Sequence, residues 1–155
     1  SADTFAIVLL KDIDATTQIG FTDGCYKDAN GYNLLSSNKN EWYFVWQAPA
    51  GGLKRGETIK YWNSLATALN AGGVANCDKG TVVAGDALSL NHNGGTDQIF
   101  AFQGIANLDL VNYRLTVDRY LAGIHLNYIS GATSDVNWDG SASAAGKVNL
   151  LIWPN

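Results

Sequence analysis

Glu41-Trp42-Tyr43-Phe44-Val45-Trp46-Gln47-Ala48 sets five consecutive large apolar residues between two polar ones. Aromatic and β-branched side chains favour an extended backbone, and a strand sends successive side chains to opposite faces. A strand with one wet face therefore alternates apolar and polar residues, whereas this one is apolar on both and must be covered on both. Ile99-Phe100-Ala101-Phe102 and Leu150-Leu151-Ile152-Trp153 repeat the pattern. Working outward, apolar clusters punctuated by Gly, Asn, Asp and Ser predict strands at Thr4 to Leu10, Thr17 to Thr22, Glu41 to Ala48, Glu57 to Trp62, Asp86 to Leu90, Gln98 to Gln103, Tyr113 to Arg119 and Lys147 to Trp153. Turns fall at Thr22-Asp23-Gly24, Ala29-Asn30-Gly31, Pro49 to Gly52, Lys54-Arg55-Gly56 and Asn93-Gly94-Gly95, all rich in residues that tolerate positive φ. Asn63 is placed to cap one short helix over Ser64 to Leu69, ended by Gly72-Gly73. About eight short strands in a chain of this size predict an all-β fold of two packed sheets.

Composition agrees with that reading. The chain has 155 residues, enough for one domain spanning 1–155, with 46% hydrophobic, 15% charged and 11% aromatic residues. The charged share is well below the roughly 25% of ordinary soluble domains. A net charge of -4 and no basic run remove the attraction on which nucleic-acid binding depends, and no apolar stretch is long enough to span a bilayer. Neither nucleic acid nor membrane insertion is expected.

Two explanations exist for the doubly apolar strands. The inserted helix and long loops fold over one sheet, or a neighbouring copy does, since contiguous exposed apolar patches are rare on lone soluble domains. The second makes Tyr43, Val45, Leu151 and Trp153 self-association residues, and a terminal strand, Ser1 to Leu10 or Lys147 to Asn155, the place for edge pairing with another subunit. A homo-oligomer or polymer is the partner expected.

The chain starts Ser1-Ala2-Asp3 with no initiator Met, which reads as a mature exported chain whose leader has been removed. Cys25 and Cys77 are its two cysteines, both among turn residues, and are expected to form one disulfide. Closing a loop of about 50 residues would stabilise the fold by about 4 kcal/mol in the chain-entropy view.

Phe5 to Ile13, followed by Thr17-Gln18-Ile19-Gly20-Phe21-Thr22-Asp23-Gly24, then Trp46 to Leu53 and Gly56 to Ile59, run in the order of a secreted microbial β-sandwich module. The strongest piece is Gly95-Thr96-Asp97-Gln98-Ile99-Phe100-Ala101-Phe102-Gln103-Gly104, with a weaker echo at Asn137-Trp138-Asp139. In these segments the chain resembles lamin-tail-like modules over most of its first 104 residues. The resemblance implies an immunoglobulin-like sandwich on an exported, non-catalytic protein. Two positions depart from the pattern: Cys25-Tyr26 follows the Gly where an aromatic is usual, and Thr96 separates the usual Gly-Asp pair.

Few residues suggest chemistry. Asp135-Val136-Asn137-Trp138-Asp139-Gly140 has the first half of a calcium loop, so Asp135, Asn137 and Asp139 are candidate ligands for Ca2+. The twelfth position is Gly146 in place of a bidentate Glu, leaving Asp97, Asp23 or Asp28 to complete the shell. Asn91, His92, Asn93 and Asp97 offer amide, imidazole and carboxylate groups that suit a glycan, given abundant aromatic rings. His92 and His125 are the two histidines and lack zinc spacing. No nucleophile elbow, metalloprotease helix or phosphate loop occurs, and the two Glu, Glu41 and Glu57, are not a recognisable acid pair. The sequence therefore points to a non-enzymatic secreted structural or adhesion protein that self-assembles outside the cell or on its surface, with a calcium-assisted lectin as the alternative.

Overall fold

In the computed structural model the Trp42 to Trp46 stretch lies in the middle of the molecule and is buried on both sides. The structure describes residues 4–27, 31–37, 39, 41–63, 75–90, 96–127 and 148–152, of which 25, 27, 96–97, 125–127 and 148–152 are described for the backbone alone. These residues form eleven strands and no helix: β1 Thr4–Val8, β2 Gln18–Thr22, β3 Cys25–Lys27, β4 Tyr32–Leu34, β5 Tyr43–Gln47, β6 Thr58–Asn63, β7 Ala75–Cys77, β8 Thr81–Gly85, β9 Thr96–Asp109, β10 Arg114–Asn127 and β11 Val148–Ile152. A three-stranded sheet runs β1-β6-β7, and a larger one runs β3-β4-β10-β9-β2-β5-β8, with β11 also paired to β10. Every pairing is antiparallel. The result is an all-β two-sheet sandwich, compatible with an immunoglobulin-like fold.

The alternation of β5 explains its composition. Phe44 and Trp46 point between the sheets, into a core with Ile19, Phe21, Ile59, Tyr61 and Leu88. Phe5, Phe21, Phe44 and Tyr61 form its aromatic centre, with ring centroids 4.8 to 6.3 Å apart. Tyr43 and Val45 point the other way, into a second core with Leu35, Trp42, Phe102 and Leu115. That core is roofed by the far half of the β9–β10 hairpin, through Leu108, Tyr113 and Val117, and by the segment leading into β5. Lys39 closes its margin, its ammonium over the Trp42 ring and 2.5 Å from Asp86. The expected self-association role of Tyr43 and Val45 is thus corrected: at 8% and 9% exposure they are buried within one copy. Leu151 has a described backbone, paired with Gly123, and Trp153 lies outside the described residues.

Several strand boundaries differ from the sequence reading. Asp86 to Leu90 forms no strand; Gly85, at φ 79, ends the β8 ladder, and a Cβ there would sit 2.2 Å from the Tyr43 carbonyl oxygen. Ala87, Leu88 and Leu90 then drop into the core as a plug outside any strand. β9 and β10 are 14 residues each, far longer than the Gln98 to Gln103 and Tyr113 to Arg119 segments, because the hairpin bends at two register shifts and serves both cores. Asp109 locks its tip by accepting from the Val111 and Asn112 amides at 2.9 and 3.0 Å. Asn63 ends β6 and donates to the Leu88 carbonyl; the expected helix after it lies outside the described residues.

Gly20 sets the spacing of β2 and β9. It is paired with Phe102, whose ring occupies the volume a Cβ would need, at 2.1 Å. Gly20→Ala should therefore lower unfolding free energy by about 1–3 kcal/mol through overpacking, read from urea denaturation. A wild-type midpoint would show that the ring has room to move.

Four surface carboxylates tie the turns and are held below their ordinary range. Asp12 is lowered by the Arg55 amide and then by Lys54; Asp14 by the Thr16 hydroxyl and amide; Glu57 by the Lys54 amide and Lys79; Asp109 by Asn112. A depressed folded value means the stabilisation is complete above the unfolded carboxylate range and is lost as pH falls through the folded values. The urea midpoint should accordingly decline once pH drops below about 4, and high salt should shrink that decline for the Lys-paired members.

Candidate functional site

The densest gathering of polar side chains lies where β2 turns into β3. Thr22, Asp23, Asn33 and Gln98 are each 0% exposed there. Asp23 accepts from the Trp42 amide at 2.5 Å through Oδ1 and from the Ser89 amide at 2.7 Å through Oδ2. Thr22 Oγ1 donates to the Trp42 carbonyl at 2.6 Å and accepts from the Gly24 amide at 3.0 Å. The Gly24 carbonyl takes two amide donors, Asn33 Nδ2 at 2.7 Å and Gln98 Nε2 at 3.0 Å. Tyr120 donates to Asn33 Oδ1, and its phenol is pushed up by burial and then by Tyr26. Its ring packs edge-on against Tyr26 and Phe100.

This cluster ties five separate segments: the β2–β3 turn, the approach to β5, the Ser89 plug, β4 and the β9–β10 hairpin. Both Asp23 oxygens accept from main-chain amides inside a fully buried residue, so the cluster organises the backbone where these segments meet. Asp23, the expected remote member of a calcium shell, has each of its two oxygens engaged by one of these amides. Sequence reading singled out Thr22-Asp23-Gly24 and Gln98 as pieces of two motifs; the structure brings them together. Asn33 and Tyr120 carried no such signal, since a lone Asn and a lone Tyr resemble any surface pair.

The disulfide expectation is also corrected. Cys77 carries a free thiol. It stands opposite Tyr61 in the small sheet, turned into the inter-sheet core near Trp46, and burial pushes its thiol up. Cys25 follows the Thr22 end of β2, whereas Trp46 pairs with Ile19 toward the other end. Bridged cysteines need Cα atoms within about 7 Å, which opposite ends of a ladder do not supply.

The remaining expected ligands divide simply. Asp135, Asn137, Asp139, Asn91, His92, Asn93 and Asp28 lie outside the described residues. Asp97 pairs its backbone with Leu126, and its side chain is not described. Among the described residues no three His, Cys, Asp or Glu side chains gather to hold a metal. An open groove of about 470 Å³ runs between β7 and β8, and Cys77 is the one ionisable residue among those lining it. An elevated thiol without an adjacent base is a poor nucleophile.

The edges of the sheets differ in how they are protected. β8 is the last strand of the large sheet, and two of its residues span one step of β5 between Val45 and Trp46, so Val83 forms a bulge. Bulges blunt an edge against strand addition. β1 shows no bulge along its described register. Its register with β6 is unbroken from Thr4↔Trp62 to Val8↔Thr58, and Thr4 to Leu10 contains no charge and no proline. The Leu9 amide donates inward to the Glu57 carbonyl at 3.0 Å, so by alternation the main-chain groups of Ala6 and Val8 point away from β6. Ala6, Val8 and Leu10 are exposed, Val8 at 55% and Leu10 at 70%. Phe5 and Ile7, on the inner face, are only half-buried. Among the described residues no strand pairs the outer side of β1.

If Asp23 acts as the organiser of the backbone, Asp23→Ala strands two buried amides and should cost about 3–5 kcal/mol in chemical denaturation. Asp23→Asn, which keeps the shape but turns a donor toward one of those amides, should cost less. Loss under 1 kcal/mol for the alanine variant would remove the cluster from any central role.

Set beside known proteins, the chain matches no family model, no curated protein and no solved structure, so its reading rests on its own residues.

Proposed function

We propose that this chain is a non-enzymatic structural or adhesion subunit that self-assembles, working outside the cell in the manner of the lamin-tail-like modules it resembles. The observation that carries the self-assembly is the β1 edge: seven consecutive uncharged residues, Thr4 to Leu10, on a strand whose outer side meets no other strand among the described residues, with Val8 and Leu10 exposed. Such an edge is a template for pairing with another strand, and native proteins that do not use one usually blunt it. The non-catalytic part is supported by the buried polar cluster, where the Asp23 oxygens and the Asn33 and Gln98 amides are engaged with main-chain groups. The extracellular part rests on the resemblance alone.

The test is sedimentation velocity with electron microscopy over a range of protein concentrations. Wild type should form discrete oligomers or longer particles, and Val8→Lys, which puts a charge on the exposed outer face of β1, should stay monomeric with an unchanged thermal midpoint. A wild-type protein that remains a single monomeric species at high concentration overturns the reading.

A further inference from the structure

We draw no further inference here: the strongest candidate, the apolar surface patch at the tip of the β9–β10 hairpin, where the turn held by Asp109 leaves Leu110 and Val111 exposed, carries nothing because nothing in the structure shows what covers it.

Discussion

The requirement that β5 be covered on both faces organises the molecule. Phe44 and Trp46 on one side and Tyr43 and Val45 on the other are large side chains in one short strand, and each stabilises the fold by roughly 1.5–3 kcal/mol only when it leaves water. One packed sheet covers one face. The opposite face therefore needs a second cover, and the chain supplies it by lengthening β9 and β10 until their far halves bend back over the sheet. The exceptional length of that hairpin, its two register shifts and the glycine at position 20 that admits Phe102 all follow from that need.

Closing two cores around one strand brings several irregular segments together, and their main-chain groups require partners. The Asp23 cluster provides them. A buried carboxylate is expensive unless donors converge on it, and here two amides do. The same turn carbonyl, Gly24, receives both Asn33 and Gln98, so the register of β4 and β9 relative to β2 is decided by polar groups within the fold. The polar groups of this cluster are directed inward, toward the protein's own backbone.

That division shapes the functional reading. The doubly apolar strands first suggested self-assembly, yet in the structure the chain itself satisfies those of β5. Among the described residues the outer side of β1 meets no strand, and Val8 and Leu10 beside it are exposed. The distinction is between a face, which side chains cover, and an edge, whose backbone groups call for another strand. A bulge protects β8, and β1 carries no comparable device.

Local pattern alone determined the all-β class, the positions of β1, β2, β5 and β6, and the first halves of β9 and β10, because β-branched and aromatic runs bounded by turn residues have one reading at short range. It also marked Thr22-Asp23-Gly24 and Gln98 as special and the first strand as a candidate edge. Three-residue strands such as β3, β4 and β7 are too short to show periodicity, and the Asp86 to Leu90 plug has the alternation of a strand without its ladder. Which face of β5 met which cover, whether Cys77 met Cys25, and which edge stayed bare were decided in three dimensions. Each depends on pairings between residues tens of positions apart, and side-chain type at one position carries no record of its distant neighbour.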